Sequence, residues 1–185
     1  MSATPSLVLF PGAGTRRDHP TLLAIAREIA PVRVRREEFV YQKGPGRRPP
    51  PAAPTLIEEI VACTKKVRGP LILGGRSMGG RMCSMAIAQG CVPRAIGLIL
   101  VAYPLHPPGR PDRLRTEHFS DIAVPCLLVT GTRDAFGTPE ELTSATSQIS
   151  GAVTHVWIER GTHELRRADE AVASAVKDWV ERLEG

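Results

Sequence analysis

Short apolar runs alternate along this chain with longer segments of helical period. The runs are Ser6–Phe10 (SLVLF), Val32–Val40 (VRVRREEFV), Pro70–Gly74 (PLILG), Ala95–Ala102 (AIGLILVA), Val124–Thr130 (VPCLLVT) and Val153–Glu159 (VTHVWIE). Four of them are continuously apolar, which suits strands of a parallel sheet covered on both faces. The second interleaves valine with arginine, as an edge strand does. Helices are expected at His19–Ala30, Pro54–Val67, Met78–Gly90, Pro139–Ser150 and Ala168–Leu183. In the fourth, Thr138 stands as N-cap, Pro139 at the first helical position and Glu141 as the far half of a capping box. In the last, Ala171, Val172, Ala175, Val176, Trp179 and Val180 form one stripe that should pack on the sheet. The alternation predicts an α/β sandwich with right-handed crossovers.

Two segments break the rhythm. Gln42–Pro54 (QKGPGRRPPPAAP) is Pro- and Gly-rich and should be an exposed, semi-rigid loop. Tyr103–Asp121 (YPLHPPGRPDRLRTEHFSD) is a longer excursion after the fourth strand, and loops of that length in compact domains often serve function.

Composition narrows the class without changing the fold. At 185 residues the chain fits one domain, 1–185, with one core. Aromatics are only 4%, so the core must be aliphatic. The net charge of +5 permits acidic partners, but the arginines are scattered and no basic stripe interleaves with aromatics, so nucleic-acid binding is not expected. The cysteines Cys63, Cys83, Cys91 and Cys126 show neither CxxC nor metal-ligand spacing, and reduced thiols are expected. The opening MSATPSLVLFPG has no basic leader, and its apolar run is short for a signal peptide. No run is long enough to span a bilayer. A cytoplasmic protein with no membrane partner is the expectation.

The chemistry gathers at Gly75-Arg76-Ser77-Met78-Gly79. This is G-x-S-x-G in its required context, strand before and helix after. A serine at so tight a turn projects its hydroxyl above the sheet edge, and glycines two residues away on either side avoid a clash. A turn capped by an unreactive serine would carry the same letters, so the rest of the chain must decide. A nucleophilic serine needs a base, and the base needs an orienting acid. Asp134 follows the fifth strand and His163 follows the sixth. Both therefore lie at the carboxyl ends of strands, where doubly wound sheets place their sites. The order Ser77, Asp134, His163 is that of the nucleophile-turn hydrolases. Among the rivals, His155 lies within a strand, His106 and His118 lie in the long loop, and Asp121 precedes its strand. Backbone N–H groups of Met78 and of Ala13, in the loop after the first strand, are the expected oxyanion donors. For Ala13, an ordinary glycine turn into a helix reads equally well. Arg76, Arg81, Arg110, Arg113 and Arg115 would suit a substrate carboxylate or phosphate, but side chains that are solvated or paired with surface acids are the favoured reading.

With these residues in hand the chain resembles the α/β-hydrolase superfamily. LVLFPGAG, GGRSMGGR, YPLHPPGRPDRLRTEH, TGTRDAFG and GTHEL together resemble a small branch near the dienelactone hydrolases. That branch includes bacterial hydrolases and the hydrolase-like domain of a histone-acetyltransferase complex subunit. The resemblance implies a minimal, capless domain lacking the family's two leading antiparallel strands. Its sheet would be six parallel strands in order 2-1-3-4-5-6 with helices on both faces. It implies the triad Ser77, Asp134 and His163, and an oxyanion hole from Ala13 and Met78. The first loop departs from the family's common His-Gly: Pro11-Gly12 keeps the turn and loses a polar side chain. The expected activity is hydrolysis of an ester or related acyl bond on a small-molecule substrate, with no metal or organic cofactor required. Thioesterase or acyl-transfer work on the same triad remains open, as does a non-catalytic, hydrolase-like scaffold or binding role. The sequence leaves the oligomeric state open.

Overall fold

The computed structural model describes residues 4–46 and 48–184. Six strands form one parallel sheet in the order β2-β1-β3-β4-β5-β6, as the resemblance implied. They are β1 Ser6–Phe10, β2 Arg33–Arg36, β3 Leu71–Arg76, β4 Ala95–Val101, β5 Cys126–Gly131 and β6 Val153–Ile158. Five helices connect them: α1 Pro20–Glu28, α2 Ala53–Thr64, α3 Met78–Ala88, α4 Pro139–Thr146 and α5 Asp169–Glu184.

Successive side chains of a strand point to opposite faces, so each central strand feeds two cores. Val8, Phe10, Leu73, Leu100 and Leu128 join Leu56 and Ile60 of α2, Met82 of α3 and Leu142 of α4. Leu7, Leu9, Ile72, Ile99 and Leu127 join Leu22 and Ile25 of α1 and Val172, Val176 and Trp179 of α5. This two-sided cover is why β1, β3 and β5 are buried at every position. The edges differ. β2 alternates with arginine, and every residue of β6 is half-buried.

Several elements are shorter than the periodicity predicts. β2 spans Arg33–Arg36 rather than Val32–Val40. It pairs on one side only, and after Glu37 donates to Leu9 O the chain turns to bury Phe39 beside Phe10. α4 stops at Thr146, because Ile149 bends back into the core through a turn closed by its N–H on Thr146 O. α1 ends at Glu28, ahead of Pro31, whose missing N–H cannot continue a helix. α2 ends at Thr64, and Val67 reaches the core through a following turn. The capping box of α4 forms as read: Thr138 Oγ1 accepts from Glu141 N at 3.2 Å, and Glu141 Oε2 accepts from Thr138 N at 2.8 Å.

The long loop is core in its first half. Tyr103 and Leu105 are fully buried, and the Tyr103 hydroxyl donates to Arg115 O at 2.7 Å. The loop is strapped on both sides, by His106 N to Phe136 O at 3.0 Å and by the His118 ring to Ser84 of α3 at 2.7 Å. It therefore packs between α3 and the turn after β5. Among the described residues no helix is long and apolar enough to cross a membrane.

Candidate active site

Ser77 sits between β3 and α3 with φ 50° and ψ −120°. A non-glycine residue in that region stores about 1–3 kcal/mol of strain. Its surroundings hold it there. Ser77 N donates to Val101 O at 2.8 Å and Arg81 N donates to Ser77 O at 3.0 Å. The flanking glycines are a packing necessity. A Cβ at Gly79 would lie 2.4 Å from Pro11 O, and one at Gly75 would lie 2.6 Å from Phe10 O. Side chains at either position would push the Ser77 turn off the end of β1.

Three loops at the carboxyl ends of β3, β5 and β6 bring their polar residues together. Ser77 Oγ lies 2.9 Å from His163 Nε2. His163 Nδ1 lies 2.8 Å from Asp134 Oδ2 and 3.1 Å from Oδ1. A carboxylate only accepts, so Nδ1 carries the ring proton and Nε2 turns its lone pair to the serine. Asp134 has a fully buried side chain, and its Oδ1 also accepts from Phe136 N at 2.8 Å. The His163 ring is 14% exposed and lies against Phe136, with centroids 4.1 Å apart. One face of the imidazole is thus shielded while its edge stays open toward Ser77.

Ala13 and Met78 are placed by separate elements. Gly12 O accepts from Gln42 Nε2 at 2.8 Å and from Thr15 N at 3.2 Å. In a trans peptide the N–H of Ala13 points opposite to that carbonyl. Ala13 O in turn accepts from the Tyr41 hydroxyl at 3.0 Å. Met78 is the first residue of α3, so its N–H has no intrahelical partner. Among the described residues neither N–H is taken by another acceptor. The loops are adjacent: a Cβ on Gly12 would stand 3.5 Å from Ser77 Cβ.

Two contributors carried no sequence signal strong enough to find their roles. Phe136 follows Asp134 by two, the spacing at which an aspartate accepts a backbone N–H in a turn. Nothing in the sequence says that its ring would shelter His163, because that contact bridges two loops. Arg76 is 3% exposed. Its Nη2 donates to His163 O at 3.0 Å and to Glu164 Oε2 at 3.0 Å, and its Nε has no partner among the described residues. It ties the end of β3 to the loop of His163.

The rival residues are engaged elsewhere. His155 stacks on Trp157 and its Nε2 lies 2.9 Å from Thr146 Oγ1. His106 lies 3.3 Å from Glu141, whose carboxyl is held below the usual range chiefly by the N–H of Thr138. Burial, assisted by the Arg81 charge, drops His118 to about 4 and leaves it neutral. Asp121 lies in a short helical turn before β5. Of the arginines, Arg110 pairs with Asp112 and Arg115 donates to Pro104 O.

A family model described as an alpha/beta hydrolase domain matches residues 3–183. Solved structures agree on the fold. Est1E from Butyrivibrio proteoclasticus, seen with ferulic acid bound, superposes with a TM-score of 0.79 at 17% identity, over 97% of this chain and 89% of that one. A monoacylglycerol lipase from Paleococcus ferrophilus gives 0.80 at 15% identity, over 98% and 97%. An alpha-beta serine hydrolase homologue from Coxiella burnetii gives 0.78 at 17%, over 96% and 86%.

Proposed function

The chain belongs to the α/β-hydrolase domain family, and from that premise we propose that it is a serine hydrolase of esters or related acyl bonds. The observation that carries this reading is the unbroken line from Asp134 through His163 to Ser77, with both contacts at hydrogen-bonding distance. Ser77 Oγ attacks the substrate carbonyl while His163 Nε2 takes its proton. The carbonyl oxygen becomes an oxyanion held by the N–H groups of Ala13 and Met78, each worth about 3 kcal/mol when well aimed. His163 then returns the proton to the leaving alcohol, and the acyl group stays on Ser77. Water, deprotonated by the same nitrogen, attacks the acyl-enzyme; the acid leaves and Ser77 recovers its proton. Asp134 fixes the tautomer and stabilises the imidazolium throughout.

The finer placement, beside the dienelactone hydrolases, is supported by the five motifs quoted above. A cytoplasmic setting belongs to the same proposal, supported by four cysteines with neither CxxC nor metal-ligand spacing.

The test is labelling with a fluorophosphonate probe, followed by peptide mapping. A single adduct on Ser77, absent after Ser77→Ala, supports the reading. Folded protein that takes no label would overturn it in favour of a hydrolase-like binding or scaffold protein.

A further inference from the structure

Beside the oxyanion loop lies a trough of about 310 Å³ lined by Ala13, Gly14, Arg48, Pro49 and Pro50. It continues into a smaller hollow bordered by Thr15, Arg16 and Tyr41. The trough adjoins the loop that carries Ala13, and Ser77 and His163 do not line it. Ala13 offers its N–H to the oxyanion in the proposed reaction, and its neighbour Gly12 approaches Ser77. The Tyr41 hydroxyl, bonded to Ala13 O and 3.8 Å from Met78 Sδ, walls off the inner end.

The charged groups on this lining are Arg16 and Arg48, and both converge on Gly44. Arg16 Nη2 donates to Gly44 O at 2.9 Å. The Arg48 guanidinium lies against the same residue, since a Cβ there would stand 3.3 Å from Cζ and from Nη2. Two like charges, both on exposed side chains, therefore flank the same residue. Neither has a carboxylate within 4.0 Å among the described residues. Of the acids on neighbouring segments, Glu37 pairs with Arg35, Glu38 accepts from Arg17 N and Glu59 accepts from Val40 N, while Asp18, two positions after Arg16, pairs with neither arginine. Converging guanidinium groups without a counter-charge favour a planar or tetrahedral oxyanion, which accepts charge-assisted bonds from both.

We infer that this trough is a substrate subsite for an anionic group, so that the enzyme prefers acyl esters carrying a carboxylate or phosphate away from the scissile bond. The inference rests on the serine-hydrolase reading for its kinetic consequence, but the subsite itself binds anions whether or not Ser77 reacts.

The test compares aryl esters of equal length that end in a free carboxylate, in a phosphate, or in a neutral methyl cap. Wild-type protein should favour an anionic ester over the neutral one by about tenfold to a hundredfold in kcat/KM. The ratio should fall to about one in Arg16→Gln/Arg48→Gln, and continued fluorophosphonate labelling of Ser77 would show that this variant is folded. Whichever of the two anionic esters leads identifies the group. Turnover of the neutral ester with no anion preference, or a preference that survives the double variant, overturns the inference. If Ser77 takes no label in the wild type, the serine-hydrolase reading fails alone, and binding decides the subsite. Glutarate and inorganic phosphate are then titrated in turn against isotope-labelled protein. Amide shifts at Ala13, Gly14 and Gly44 that vanish in the double variant support the subsite, and their absence in the wild type defeats it.

Discussion

At the carboxyl end of the sheet, three loops bring a serine, an imidazole and a buried carboxylate into one hydrogen-bonded line. At the amino end, between the closing turns of α2 and α3, lies a larger space of about 950 Å³ lined by Ile57, Val61, Ala62, Cys91, Arg94 and their neighbours. By size alone that second cavity would claim the function. It contains no nucleophile paired to a base, and α3 turns its carboxyl end toward it. The site end receives the amino end of the same helix, whose free N–H groups and positive dipole favour developing negative charge. One helix therefore makes its two ends unequal. Convergent polar groups, rather than volume, are what assign the proposed chemistry to this end.

The comparison is most easily broken by removing chemistry from one end and space from the other. Ser77→Ala should lower ester turnover by about 10⁴-fold or more, with the thermal midpoint nearly unchanged, because the hydroxyl is no part of the core. Ala62→Trp fills the far groove on its exposed side and should leave turnover within about twofold. Parallel kinetics on a chromogenic ester settle it, and an Ala62→Trp loss as deep as that of Ser77→Ala would reverse the assignment of ends.

Two glycines of the α3 region sharpen the contrast in stability. Gly79→Ala drives a Cβ to 2.4 Å from Pro11 O, so β1 or α3 must shift. A loss of about 3 kcal/mol is expected, in the range of overpacking. Gly90 closes the other end of α3 at φ 67° with nothing within 4 Å of its absent Cβ. Gly90→Ala meets only the left-handed backbone penalty, about 1 kcal/mol. Urea midpoints of the two variants, measured side by side, should differ in that order.

Arg76 stands third. With the guanidinium gone, His163 O and Glu164 lose their tie to β3, and the imidazole is free to drift from Ser77. A displacement near 1 Å is worth about 10²-fold in rate, so Arg76→Met should lower kcat by about tenfold to a hundredfold with a smaller effect on KM. Arg76→Lys should recover part of it, since an ammonium still reaches a carbonyl. The pH profile of kcat/KM distinguishes positioning from mere support: it should shift in Arg76→Met and return toward wild type in Arg76→Lys. A profile fixed in both variants, with only the midpoint of unfolding lowered, would make Arg76 a structural residue.

How much of this was legible in the sequence depended on how local each signal is. The strands were legible because burial on both faces makes them continuously apolar, and the capping box of α4 because its partners are three residues apart. The Ser77 turn was legible because close packing of Gly75 and Gly79 against β1 forces glycine into the sequence itself. What the sequence hid was contact between loops. Arg76 reads as a surface arginine until the fold lays the histidine loop across it. Arg16 and Arg48 lie 32 positions apart and meet only because both reach Gly44. Helix ends were overrun for a related reason: Ile149 and Val67 continue the apolar pattern but are buried by turns.

The smallest expected effect also separates the two ends. His118 lies on the site side, bonded to Ser84 Oγ, edge-on to Phe119 and near Arg81, Glu117 and Asp121. Burial, and secondarily the Arg81 charge, lowers it from 6.5 to about 4. Between those values the unfolded chain holds a proton that the folded chain does not. Stability therefore rises with pH across that window and is lost as pH falls through it. Carboxylates titrate near its lower edge, so the informative quantity is the difference between wild type and His118→Gln. In that variant the urea midpoint should vary less between pH 6.5 and 4, because one group that protonates only on unfolding is gone. Equal slopes in the two proteins would mean that the ring opens to solvent without unfolding, and that the strap between the long loop and α3 is weaker than its 2.7 Å contact implies.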